Sequence, residues 1–530
     1  MQTIKRSDIM KEVLARCPDI IDAYERWGWV GDGVTDNYPM WVAMVAEVNM
    51  MGGARIVFSP GHYKIDRYMT ENPDTLPPTL INPNVHFEGC NGLEISGYGA
   101  LIEMKGDFHR VGDRQVQDFI YSSKVGITPF HCVRCKNVVI EGFEIDGNVD
   151  LMTRDPAVVE SFNYGVVISD NTDRVTLRDL YIHHMHTDGI ALGGEPGDNN
   201  LTCHDIVVIN CVVGYVARSA FSVFQVRRWT VINCDFSHTG RQEGTYGSHS
   251  PGCGCDIEPG AILLELCGEG TFINCHFSDN SGRQFLCQKD NIEKITLIAC
   301  TIDATTSPET FQFVLSVKDG FVYGGEFKLG NGAFYPIWVT DGGSDPARVK
   351  TVMRDARIES TFRGIVAVTN ENYDVLIENC DIICTNTEPM EEFQPYIQAP
   401  NLRFIGNRLY RPSVSAIFDE DNNTRDNAVL LDCKLCSGNR YFTDLASGGA
   451  NYFATNYGVT PLVEDERYDS GTAWRNLTQP TWDNLNPYGN HQMFRTPFQG
   501  DSSAADVTAL RDDFNALLQK LRNGHIVSQV

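Results

Sequence analysis

Residues 253–260 read Cys-Gly-Cys-Asp-Ile-Glu-Pro-Gly. A strand turns successive side chains to opposite faces, so Asp256 and Glu258 share one face on either side of Ile257. Mutual repulsion separates the acidities of two neighbouring carboxyls. One is then neutral and can donate a proton, while the other stays ionised. The bland alternative is a wet turn face, where paired acids are common. Same-face positions along a strand lie roughly 6.5–7 Å apart, twice the rise per residue. That distance admits both retaining and inverting glycoside hydrolysis and does not choose between them.

Such a pair needs a frame, and a repeat supplies it. The pattern is apolar, any, apolar, two polar or small residues, a small or apolar anchor, any, apolar. It occurs as VVIEGFEI (138–145), VTLRDLYI (175–182), IVVINCVV (206–213), WTVINCDF (229–236), GTFINCHF (270–277), ITLIACTI (295–302), GFVYGGEF (320–327) and VLIENCDI (375–382). Weaker copies begin at 93, 351, 402 and 428. The anchors are Tyr98, Phe143, Leu180, Cys211, Cys234, Cys275, Cys300, Gly325, Ala356, Cys380, Asn407 and Cys433. Their mean spacing is about 30 residues, the range of stacked repeats. A strand-rich unit of that length, stacked many times, is a coil of a parallel β-helix. The expected fold is therefore all-β, with about 12 coils.

The stack also explains the 17 cysteines. Anchor cysteines would form an internal packing ladder. The CxxC pairs Cys132/Cys135 and Cys433/Cys436 then read as buried small hydrophobes in a reduced compartment, with neither zinc nor redox chemistry.

A second strand follows each anchor. Leu180 leads to DGIAL (188–192), Cys211 to SAFSV (219–223) and Cys275 to RQFLC (283–287). After Phe143 and Cys234 the second strand comes about 13 residues later, and insertions of that kind are usually functional. They would form the walls of a groove. Taking Ile190, Phe221, Ile257 and Phe285 as inward, the outward residues are Gly189, Ala191, Ala220, Ser222, Asp256, Glu258, Gln284 and Leu286. The acids would then face a small-residue floor with room for a ligand. Asp188 is a candidate third acid or an Asx-turn residue, and Glu243 in the wall loop is a weaker acid candidate. Arg218, His186, His249, Tyr246, Arg283 and Gln284 are the candidate substrate contacts. HHMH (183–186) invites a metal reading, but alternation turns His183 and His184 opposite ways, so neither a metal site nor a cofactor is expected.

Residues 28–65 carry Gly31-Asp32-Gly33-Val34-Thr35-Asp36, then Gly52-Gly53, then Val57-Phe58-Ser59-Pro60-Gly61-His62-Tyr63. This segment resembles the opening of the pectate-lyase-like right-handed β-helix superfamily, whose usual form is GDGVTDDT, a capping helix, then GGxVYFPPGxY. Asp32 and Asp36 would make turn and cap contacts, and Gly61 a tight turn. The DIEP element after a long loop resembles that of bacteriophage tailspikes that depolymerise bacterial surface polysaccharides. That resemblance implies a homotrimer with its groove on the outer face. HTDG (186–189) is similar to the NTDG of polygalacturonases, but the paired aspartates, GHG and RIK of that class do not follow.

Near the C-terminus, Val507, Leu510, Phe514, Leu517 and Leu521 form a heptad seam. A helix this short is marginal alone and is expected to pair with copies of itself. The expected organisation is an N-terminal helical neck at 1–30, a parallel β-helix with its capping segment at 31–435, a C-terminal region at 436–500 and a trimerising helix at 501–530. The net charge of −26 argues against nucleic acid as a partner. No apolar run approaches the roughly 18 residues needed to cross a bilayer, and the N-terminus lacks a signal-peptide core. The expectation is a phage tailspike on the virion, attached to the tail or to another tailspike protein. It would be made in the host cytoplasm and act on a capsule, exopolysaccharide or O-antigen. Hydrolysis is preferred. A polysaccharide lyase and a spike that only binds glycan are the alternatives.

Overall fold

Alternation of apolar and polar residues over short strands, each broken by Asn, Asp or Gly, winds the chain into a parallel β-helix. The computed structural model describes residues 19–457 except 67–68, 73–78, 82–84, 105–112, 117–118, 123, 126–127, 150–163, 194–201, 241–250, 259–266, 289–291, 307–311, 331–336, 340–349, 361–365, 369–373, 385–396, 411–430 and 443–451. These lie in the first of two compact units, Met1–Gly471; the second is Thr472–Val530. The heptads of 501–530, with Glu243, Tyr246 and His249, fall outside the described residues.

One ten-stranded sheet carries the site. Its central strands are β2 (Val166–Ser169), β4 (Ile190–Leu192), β6 (Phe221–Val223), β7 (Cys255–Ile257) and β8 (Phe285–Gln288). All pair in parallel, with Val166, Ile190, Phe221, Cys255 and Phe285 aligned. A 26-stranded sheet makes the remaining faces. It includes β1 (Lys136–Asp146), β3 (Tyr181–His183) and β5 (Val212–Gly214). Two domain boundaries shift. Ile20–Asp22 pairs in parallel with Arg55–Val57, so the sheet starts inside the expected neck. Leu431–Phe442 pairs in parallel with Ile397–Ile405 and Arg408–Tyr410, so a strand runs across the boundary expected at 435.

Nine of the twelve expected anchors pack inside; Gly325 is half-buried and the side chain of Cys433 lies outside the described residues. Phe143, Leu180, Cys211, Cys234, Cys275, Cys300, Ala356, Cys380 and Asn407 are all buried. Tyr98 is not an anchor. A bulge at residues 97–99 of the strand Asn91–Met104, which pairs with β1, puts Ala100 opposite Phe143, and the exposed Tyr98 hydroxyl donates to Asp179. The residues before the anchors turn the chain. Asn210, Asn233, Asn274 and Asn379 have φ of 51–55°, a left-handed conformation that Asn tolerates better than most residues. Inside, Phe221 packs on Phe236 at 5.2 Å in a tilted pair, and Phe236 stacks on Phe277 at 5.4 Å. Each buried Phe contributes about 1.5–3 kcal/mol of transfer free energy. Among the described residues thirteen cysteines are free and buried, Cys132 and Cys135 among them.

The opening segment behaves largely as its motif implies. Asp32 Oδ1 accepts from the Val34 and Thr35 amides, and Asp36 Oδ1 from those of Tyr38 and Asp66. The helix α1 (Tyr38–Met51) adds Trp41, Met44, Val45 and Val48 to the core. Gly61 is not a turn residue. It begins the strand Gly61–Ile65, where a Cβ would press on the Gly31 backbone at 3.0 Å.

Candidate active site

Asp256 is the middle residue of β7. Cys255 and Ile257 on either side join the hydrophobic core, which turns Asp256 out of the cylinder on the opposite face. The register differs by two residues from the expected one. Phe221 and Phe285 align with Cys255, not Ile257. Asp256 therefore lies between Ser222 and Leu286, and Glu258 falls just past the strand, its amide donating to the Val223 carbonyl at 2.9 Å. A slip of two preserves the face, so both acids still project the same way.

Their surroundings differ sharply. Glu258 is exposed, whereas Asp256 is only 2% exposed. Burial pushes the Asp256 carboxyl up to about 7; the nearby Glu258 charge adds to the rise, Arg218 opposes it and Asp188 contributes further. Asp256 Oδ1 is buried and accepts no hydrogen bond from the described residues. A carboxyl placed this way favours its neutral, proton-carrying form.

Asp188 joins the cluster from two coils away. It ends the turn before β4 and is fully buried. Its carboxylate accepts from the Ser219 amide at 3.0 Å and from Ser222 Oγ at 2.8 Å. Arg218 Nη1 lies 3.4 Å from Oδ2. The side chain thus crosses to the next coil, and the Asx-turn reading does not hold: the partners lie about 30 residues on, not two. Burial pushes the Asp188 carboxyl above its ordinary value, against the pull of Arg218 and the two serines. The order along the helix axis is Asp188, then Arg218 with Ser219 and Ser222, then Asp256 with Glu258. Arg283, half-buried, precedes β8 on the next coil and also pulls the Asp256 value down.

Other expected contacts are placed differently. Gln284 is not a groove residue. It is fully buried, and its amide exchanges hydrogen bonds with Asn280, accepting from Nδ2 at 2.7 Å and donating to the backbone carbonyl at 3.1 Å. The cause is parity at the turn, where alternation ends before the strand starts. The same effect undoes part of the expected floor. A Cβ on Gly189 would collide with the core residue Val213, and Ala220 itself belongs to the core. Ala191 and Ser222 remain on the outer face, both covered. His186 is buried beside the same turn as Asp188.

Sequence reasoning missed Ser219 and Ser222 as acid partners. The signal was present as two serines flanking Ala-Phe on a strand beside an acid-bearing one, but only the register reveals whom they serve. It also missed the convergence of Asp146 with His183 and His184, because alternation fails where His184 adopts a φ of 53°.

A family model described as "Right handed beta helix region" matches residues 164–345, which span β2 to β8 and the coils beyond. No curated protein matches the sequence. Among solved structures, the chain is similar to the A-module of a mannuronan C-5 epimerase from Azotobacter vinelandii, at 12% identity and a TM-score of 0.41, covering 74% of this chain and 88% of that one. It is similar to a tailspike protein from Acinetobacter baumannii bacteriophage Fri1, a capsular polysaccharide depolymerase, at 12% identity and a TM-score of 0.37, covering 85% of this chain and 66% of that one. It is also similar to a surface adhesin of Streptococcus pneumoniae, at 11% identity and a TM-score of 0.45, covering 83% of this chain and 98% of that one.

Proposed function

We propose that this chain cleaves a bacterial surface polysaccharide by glycoside hydrolysis, using Asp256 as general acid and Glu258 as its partner. The observation that carries the reading is the contrast within one strand face: a buried carboxyl raised to about 7 beside an exposed one. Asp256 would protonate the glycosidic oxygen. Glu258 would activate water or attack the anomeric carbon. Asp188 holds Arg218 close to Asp256, and that charge limits how far the acidity of Asp256 is suppressed. Assembly as a homotrimer through 501–530, and a place on a phage tail, belong to the same reading. Their support is the heptad seam and the resemblance of the opening segment and of DIEP.

The second reading is β-elimination by a polysaccharide lyase. It is favoured by the two arginines, Arg218 and Arg283, on coils either side of Asp256, since a cation there can neutralise a uronate. Mass spectrometry of oligosaccharides released from capsule, exopolysaccharide or O-antigen separates the two. Hydrolysis gives products that carry one added water. A product lacking that water and absorbing in the near ultraviolet means elimination. Binding of glycan with no product from any host polysaccharide overturns both in favour of a spike that only binds.

A further inference from the structure

Three side chains converge outside the acid cluster. His183 ends β3, and His184 follows with a left-handed backbone that brings its ring back beside its neighbour. The two Nδ1 atoms lie 2.6 Å apart. Asp146, the last residue of β1, pairs directly with His183 across the sheet. Its Oδ1 is 3.6 Å from His183 Nδ1 and 3.8 Å from His184 Nδ1. Among the described residues this is the one place where three metal-ligating side chains meet.

The donors fit an ion. Nitrogen and oxygen ligands about 2.0–2.2 Å from a tetrahedral zinc stand roughly 3.4 Å from one another. Both carboxylate distances are close to that. The His–His contact is shorter than that, so the two rings would have to part slightly as an ion enters and takes the place of any proton between them. The rings are also held from behind. Glu144 Oε1 lies 3.2 Å from His183 Nε2 and accepts its proton, leaving the Nδ1 lone pair for a ligand bond. The Asn148 amide donates to Asp146 Oδ1 at 2.8 Å. His184 stacks on Tyr215 at 5.4 Å and 17°, and Tyr215 on His238 at 4.7 Å and 19°.

We infer that Asp146, His183 and His184 bind one divalent transition-metal ion of the zinc type. Two imidazoles and a carboxylate suit zinc, cobalt or nickel, whereas calcium and magnesium prefer all-oxygen shells. The ion ties two adjacent coils together and keeps at least one coordination position open. This site is independent of the proposed hydrolysis.

The test uses the full chain, free of affinity tags and stripped with chelator. Cobalt(II) titration should give visible absorption that saturates at one equivalent per chain, and zinc(II) should abolish it. The unfolding midpoint should rise with the logarithm of free zinc. His184→Gln and Asp146→Asn, both at half-buried positions, should lose the saturable signal while keeping the same circular dichroism. Glu144→Ala should weaken binding by about 10–100-fold. The inference is overturned if the unaltered chain gives no saturable cobalt signal, or if His184→Gln binds one equivalent as tightly as the unaltered chain.

Discussion

Ser222 Oγ donates a 2.8 Å hydrogen bond to Asp188 Oδ2, and the same residue sits directly beside Asp256 in the parallel ladder. One small side chain therefore stands between two buried acids on coils that are not neighbours. The hydroxyl stabilises the ionised form of Asp188, so of the two carboxyls Asp256 is the one with less to hold its charge.

The acid assignment predicts matched losses. Asp256→Asn and Glu258→Gln should each lower turnover on the cognate glycan by roughly 10²–10⁴-fold, with glycan binding kept because the amides preserve shape. The double variant should be little worse than the more damaging single one, since groups acting as a unit are not additive. Initial rates and a binding isotherm on the same preparations check this. Full activity in both single variants would move the search to Asp188 and Glu243.

Much of this frame was readable from the residues themselves. Apolar alternation and recurring anchors mark the coils, because each coil must bury the same kind of side chain in the same place. Cys211, Cys234, Cys275 and Cys300 lie where that logic put them. The face shared by Asp256 and Glu258 was readable too. Their register was not: a slip of two residues keeps every side chain on its face, so alternation is blind to it. Burial was equally hidden, since the covering of Asp256 depends on neighbouring coils and not on its own strand. His184 and Gln284 sit at turns, where period-two reasoning stops. Asp146 lies well upstream of His183 in sequence and meets it only through the pairing of β1 with β3.

Stability should depend on pH through Asp256. Its folded value of about 7 stands above the ordinary 3.8. A carboxyl raised on folding contributes stability that is complete below the unfolded value and is lost as pH rises through the folded one. The unfolding midpoint of the unaltered chain should therefore fall more between pH 4 and pH 8 than that of Asp256→Asn, which stays neutral throughout. A tenfold change in an acidity constant is worth about 1.4 kcal/mol, so the gap at pH 8 should be of the order of a few kcal/mol. Parallel midpoints for the two proteins across that range would contradict the assignment. Turnover should also decline above about pH 7 as the acid ionises.

The buried thiols predict low reactivity. Of the 17 cysteines, the 13 whose side chains are described are all free and buried. Burial raises the values for Cys253, Cys255 and Cys287 well above that of a free thiol, which removes the reactive thiolate, whereas Cys135, held low by its contacts with Cys132 and Cys90, is shielded by burial alone. A chromogenic disulfide reagent should therefore label at most four thiols quickly in the native protein and all 17 after denaturation. Rapid native labelling of more than four would mean that the ladder is open.

Assembly has its own check. Removing residues 501–530 should convert a trimer to monomers, or slow its formation, while circular dichroism keeps the strand signal. Light scattering is the measurement. A monomeric full-length chain at micromolar concentration would end the trimer reading.

Arg218 provides the most discriminating test of how the cluster works. Its guanidinium and the Asp188 carboxylate are 3.4 Å apart, with side-chain exposures of 10% and 0%. Removing one partner of a buried pair leaves the other charge uncompensated, at a cost of about 3–5 kcal/mol. Arg218→Met should thus lower the unfolding midpoint, and adding Asp188→Asn should recover part of the loss. A purely structural ion pair predicts that much and nothing more. Arg218 also pulls the Asp256 carboxyl downward. Without that cation Asp256 should hold its proton to higher pH, so the descending limb of the turnover profile should move upward in Arg218→Met. Asp188→Asn with Arg218 intact should move it downward, because one neighbouring negative charge is gone and the arginine is released from its partner. Opposite displacements of the same limb by the two single variants are expected only if Asp256 is the titrating acid. Identical limbs in both would leave Arg218 and Asp188 as a structural pair and remove Asp256 from the reaction.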